Sequence, residues 1–77
     1  MSAINLDARR LLCPMPVILL QNTVVGLPAG AQVKISCTDV GVLHDIPAWC
    51  RIHEHKILSI EQQSHLIVIW VEVGANT

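Results

Sequence analysis

Apolar and polar residues alternate most cleanly over residues 32–38 (QVKISCT), with Val33, Ile35 and Cys37 on one face and Gln32, Lys34 and Ser36 on the other. A period of two is that of a half-buried strand. Residues 3–8 (AINLDA) alternate more weakly and predict a first strand, followed by the loop RRLL leading to Cys13. The run VILLQNTVV (17–25) predicts a helix ending at Gly26, with Pro28 and Gly30 punctuating the loop beyond. A second helix is expected over 41–54 with Asp39 as its N-cap. Pro47 should split off its first turn or make the main body begin near Asp45. On that helix Ile46, Trp49, Cys50 and His53 share a face.

Residues 56–61 (KILSIE) and 65–73 (HLIVIWVEV) predict an antiparallel hairpin around the polar turn Gln62, Gln63 and Ser64. The order is βαβαββ. Two βα units followed by a hairpin predict an α/β two-layer sandwich, a four-stranded mixed sheet with both helices on one face. If Ile67, Ile69 and Val71 face the helices, Leu66, Val68 and Trp70 point from the open face. That apolar stripe predicts a partner-binding surface or self-association, unless neighbouring side chains or the chain's own tail shield it.

Composition narrows the class. Seventy-seven residues predict one domain spanning 1–77, and 52% hydrophobic residues with 3% aromatics predict a core of Ile, Val and Leu. Five Lys and Arg at a formal charge of −1 argue against a phosphate-binding surface, so nucleic acid is not expected as the main partner. No run approaches the roughly 18 apolar residues of a membrane span, and the N-terminal pattern is not that of a leader. No membrane association and a cytoplasmic location are expected. Cysteines 13, 37 and 50 include no CxxC pair, which fits neither a disulfide scaffold nor a zinc ribbon.

The candidate chemistry lies at Cys13, Pro14, Met15 and Pro16. Proline suits a first helical turn, so Pro14 at its first position and Pro16 two later fix the helix start and make Cys13 the expected N-cap. A cysteine there feels the positive end of the helix dipole. Met15 supplies the nearest remaining amide for the sulfur, and Arg9 and Arg10 on the approach should lower the thiol pKa further. Cysteine is also a small hydrophobe, and the prolines alone suffice to stop the strand.

The LDA at 6–8, CPMP at 13–16, Asp39 and the DIPAWC at 45–50 resemble, in order and spacing, the TusA/SirA-like sulfur carrier proteins over nearly the whole chain. The resemblance implies a βαβαββ domain whose Cys13 takes sulfane sulfur as a persulfide from a donor such as a cysteine desulfurase or rhodanese. It then relays that sulfur to an acceptor protein, in routes such as tRNA thiolation, molybdenum cofactor assembly or sulfur oxidation. Such a carrier needs no base, metal or organic cofactor, and differs from a stand-alone turnover enzyme. The chain departs from the family pattern at Arg10, where glycine is common. It departs again at Gln21 and Asn22, and at Trp70, Glu72 and Val73, where basic residues are common.

Other readings compete. Cys37 and Cys50 read as core residues. Cys50 and His53 lie one turn apart, but with His44, His55 and His65 they lack a compact zinc spacing, so no metal site is expected. His44 and Asp45 are adjacent on a helix and point in different directions. A protein-interaction or regulatory module using the apolar stripe is the rival from another class. A thiol redox protein would need an intermolecular partner, since no resolving cysteine neighbours Cys13.

Overall fold

The computed structural model describes residues 3–74. Six elements follow in the expected order: β1 (Ile4–Ala8), α1 (Met15–Val24), β2 (Gln32–Cys37), α2 (Val42–Ile52), β3 (Lys56–Gln63) and β4 (Leu66–Glu72). The sheet order is β1-β2-β4-β3, with β1 parallel to β2 and β4 antiparallel to both neighbours. A parallel pair needs a crossover, and α1 supplies it.

The period-two pattern decides which side chains meet the helices. Val33, Ile35 and Cys37 of β2 and Ile67, Ile69 and Val71 of β4 form one buried surface. Leu20 and Val24 of α1 and Val42, Ile46 and Cys50 of α2 close it, all at 3% exposure or less. Fully burying such a side chain contributes about 1.5–3 kcal/mol, so the two central strands and the helix faces that cover them together carry the apolar stabilisation.

Several boundaries differ from the sequence expectation. Pro14, not Cys13, is the N-cap of α1, and Pro16 occupies the second helical position. The helix ends at Val24 with Val25 still right-handed, and the turn closes by Leu27 N–H donating to the Val24 carbonyl at 3.0 Å rather than on a left-handed Gly26. Helix α2 begins at Val42 with Gly41 as N-cap, because the Asp39 side chain is engaged two residues earlier. Pro47 does not split it. Although this residue offers no amide to the preceding turn, Val42 and Ile46 before it and Cys50 after it pack into one core and hold the helix continuous.

Strand β3 runs through Gln62 and Gln63, so the hairpin turn is shorter than expected and carries Ser64 at φ 52°. A bulge at Leu58 shifts the register between Ile57 and Ser59. On the open face Leu66 is 37% exposed, but Val68 is only 9% exposed and Lys34 Nζ lies 5.6 Å from the Trp70 ring centroid. Neighbouring side chains therefore shield much of the Leu66, Val68 and Trp70 stripe.

Candidate functional site

Cys13 sits where the β1–α1 loop meets the mouth of α2, half-buried, behind a cis Cys13–Pro14 peptide bond. Its backbone is pinned from across the fold. The Cys13 amide donates to Asp39 Oδ2 at 2.8 Å, and Asp39 Oδ1 accepts the Gly41 amide at 3.2 Å. One carboxylate thereby ties the thiol loop to the β2–α2 turn. On the loop's other flank the Arg10 amide donates to Thr38 Oγ1 at 2.9 Å. Arg10 takes φ 74°, in the left-handed region that favours glycine.

The electrostatics reverse the sequence expectation. The Cys13 thiol is pushed up to about 12, first by desolvation, then by hydrogen bonding to the Asp45 and Asp39 carboxylates and by their negative charge. The helix mouths do not offset this, because their amides are already bonded. Met15 N–H, the expected donor to sulfur, goes to the Leu12 carbonyl at 2.8 Å, and Ile18 N–H to Pro14 at 3.1 Å. At α2, Val42 N–H is taken by the Asp39 carbonyl at 3.2 Å and Leu43 N–H by Val40 at 3.1 Å. His44 and Asp45 both donate to the Gly41 carbonyl, at 3.2 and 3.0 Å.

Nor do the arginines lower the thiol pKa. Arg9 is clamped to Asp7, with Nε 2.8 Å from Oδ1 and Nη2 3.0 Å from Oδ2, and holds that exposed carboxylate at about 2. Arg10 is not among the groups that shift the thiol. The result is a neutral, accessible sulfur beside two hydrogen-bond acceptors, not a resting thiolate.

The other cysteines are core residues. Cys37 and Cys50 are buried, and desolvation pushes both up to about 11, with Asp39 adding to the effect on Cys37. Toward the C-terminal end of α2, Trp49 stacks on His55 at 4.8 Å and tilts against His53 at 5.2 Å between ring centroids. His55 Nδ1 accepts the Gly74 amide at 3.0 Å, so the neutral ring carries its proton on Nε2. Among the described residues no three His, Cys, Asp or Glu side chains form a group that could hold a metal ion.

Sequence reasoning did not see the roles of Asp45 and Gly41. Asp45 was visible in the DIPAWC element, but its approach to a sulfur 32 positions earlier depends on the fold. The nearest signal was Asp39, whose position after β2 is where a side chain can cap the next helix.

One partly exposed thiol between two helices of a βαβαββ sandwich, with the two other cysteines buried, defines a small α/β protein with a single candidate reactive cysteine. Comparison with known proteins makes this specific: the family model described as sulfurtransferase TusA matches residues 4–73, and the chain belongs to that family. It is 34% identical over 71 residues to the sulfur carrier protein TusA of Pseudomonas putida, covering 92% of this chain and 89% of that one. It is 30% identical over 67 residues to the sulfur carrier protein TusA of Buchnera aphidicola, covering 87% and 85%. The crystal structure of a SirA-like protein from Desulfitobacterium hafniense shares the fold, with a TM-score of 0.81 at 21% identity over 92% of this chain and 97% of that one.

Proposed function

We propose that the protein is a cytoplasmic sulfur carrier that accepts sulfane sulfur as a persulfide on Cys13 and relays it to an acceptor protein. The observation that carries this reading is the placement of Cys13, half-buried at the junction of two helix mouths while Cys37 and Cys50 are sealed in the core. A partly exposed thiol that forms no disulfide with the two buried cysteines suits group transfer better than disulfide formation. Loading is a displacement: Cys13 Sγ attacks the outer sulfur of a donor persulfide, the donor's S–S bond breaks, and a new Sγ–S bond forms. The Cys13 proton ends on the donor's departing cysteine sulfur, so no electrons are gained or lost overall. Because the resting thiol is neutral, the proton must leave as the donor engages. A cysteine desulfurase or rhodanese fits as donor, and tRNA thiolation, molybdenum cofactor assembly or sulfur oxidation as the route served.

The test is incubation with a cysteine desulfurase and cysteine, or with a rhodanese and thiosulfate, followed by intact mass. One added, reductant-labile sulfur on the native chain and none on Cys13→Ala is the expected result. Equal uptake by the variant refutes the site. An interaction module built on Leu66, Val68 and Trp70 has less support, since Val68 is only 9% exposed and Lys34 covers Trp70.

A further inference from the structure

Two adjoining hollows open beside β1, one on each side of Arg9. The first, about 310 Å³, lies on the open face of the sheet among Asn5, Asp7, Arg9, Lys34, Ser36 and Leu66. The second, about 330 Å³, is bounded by Asp7, Arg9, Arg10 and Thr38. Strand pairing sets this up: Asn5 lies beside Lys34 and Asp7 beside Ser36, both pairs on the face that the helices leave bare. Because they share Asp7 and Arg9, the two hollows form one groove that runs from the sheet toward the loop carrying Cys13.

The charge of this groove is opposite to that of the chain. Three of the chain's five Lys and Arg residues line it against one carboxylate, while the whole chain carries −1. That carboxylate is already engaged. Asp7 accepts Arg9 Nε at 2.8 Å, Arg9 Nη2 at 3.0 Å and the Arg9 amide at 3.1 Å. The clamp fixes the guanidinium by one edge and leaves Nη1 and the second Nη2 hydrogen as donors. Lys34 Nζ rests 5.6 Å from the Trp70 ring centroid, and neither Lys34 nor Arg10 forms an ion pair among the described residues. Asn5 and Ser36 add neutral donors in the first hollow.

We infer that this groove is a docking surface for an acidic peptide segment of a partner protein, with Lys34 and Arg10 each taking a carboxylate and Arg9 bridging between them. One fixed guanidinium between two uncommitted cations complements carboxylate side chains, to which charge-assisted hydrogen bonds are strongest. A nucleic acid fits less well, since three cations around a carboxylate neutralise too few phosphates. As the docking surface of a carrier the groove rests on the reading above, because the segment lies beside the loop that presents Cys13. Binding itself is measured without sulfur.

The experiment titrates isotope-labelled protein with a capped hexaglutamate peptide and follows the NMR spectrum. Saturable shifts are expected at the Arg9 Nε–H and at the amides of Arg10, Lys34 and Thr38, in the millimolar range that a few exposed ion pairs supply. Lys34→Gln and Arg10→Gln should each weaken binding by about two- to fivefold, and added salt should weaken it further. Arg51→Gln and Lys56→Gln make the same change in net charge away from the groove and should bind as the native chain does. Amide spectra of the free variants verify that each is folded. Equal losses in all four variants, or no saturable shift in the native chain, overturn the inference. Tighter binding of hexathymidylate at the same salt also overturns it, in favour of a nucleic-acid ligand. A native chain that loads sulfur but ignores the peptide sinks this inference alone, whereas one that binds the peptide but takes up no sulfur sinks the carrier reading alone.

Discussion

The backbone amide of Cys13 is bonded to the side chain of Asp39, 26 positions away, at 2.8 Å. The link joins the chemistry of the first βα unit to the start of the second. It places the sulfur by holding the main chain, and the same carboxylate also accepts from the thiol. Asp39→Ala should lower the melting temperature by roughly 5 °C, since two amides lose their acceptor, and Asp39→Asn by less because one oxygen remains. The amide hydrogen bonds from Cys13 and Gly41 also hold the Asp39 carboxyl below the ordinary 3.8. Its contribution to stability is therefore present above that pH and lost as pH falls through the folded-state value. Thermal melts by circular dichroism across acid pH check both points, and an Asp39→Ala protein as stable as native would contradict them.

Thiol reactivity supplies the second expectation. With Cys13 pushed up to about 12, only a minute thiolate fraction exists at neutral pH, and iodoacetamide alkylation should still climb about tenfold per pH unit at pH 10. Asp45→Asn removes a carboxylate acceptor and its charge. Alkylation at pH 8 should then quicken by about threefold for each unit the pKa falls, the gain in thiolate being partly offset by weaker nucleophilicity. A rate that levels off near pH 8 in the native chain would mean the carboxylates do not control the sulfur.

His55 gives stability a second pH dependence. The residue is 8% exposed, and its ring stacks on Trp49, accepts the Gly74 amide, and is driven below the ordinary 6.5 by desolvation and by His53. A lowered histidine pKa means that the unfolded chain binds the proton first. Stability from this site is therefore complete above pH 6.5 and lost as pH falls through the folded-state value. Urea midpoints measured from pH 7.5 to 5 should decline, and His55→Phe, which keeps the stack but cannot titrate, should flatten that decline. An unchanged slope in the variant would assign the effect elsewhere.

Arg10 offers a gain rather than a loss. A non-glycine residue in the left-handed region costs about 1–2 kcal/mol, part of which glycine returns through the greater freedom of its unfolded chain. Arg10→Gly should therefore stabilise the protein by about 0.5–1 kcal/mol while leaving the Arg10 amide bonded to Thr38. Chemical denaturation measures this directly. A destabilised variant would show that the arginine side chain makes a compensating contact.

The sequence made the six elements legible because each obeys a local rule: period two in β2 and β4, proline at the start of α1, an apolar face on α2. The thiol itself was equally plain. What escaped was its charge state. Arg9 and Arg10 lie closest to Cys13 along the chain, but Arg9 is spent on Asp7, while Asp39 and Asp45 arrive from another element. Helix dipoles misled for a related reason, since the amides that would express them are satisfied by turns such as Gly41 to Asp45. Pro47 likewise looked like a break because propensity weighs one residue, whereas the core on both sides of it decides.

Strand β4 lies between β2 and β3, although it follows both in the chain. During synthesis, a nascent chain whose exposed part stops short of Leu66 holds β2 and β3 with no strand to join them, and half of the inner apolar layer is missing. The sheet can close only after β4 has emerged from the ribosome. Closure of the sheet therefore waits on β4, the strand that joins the β1–β2 pair to β3.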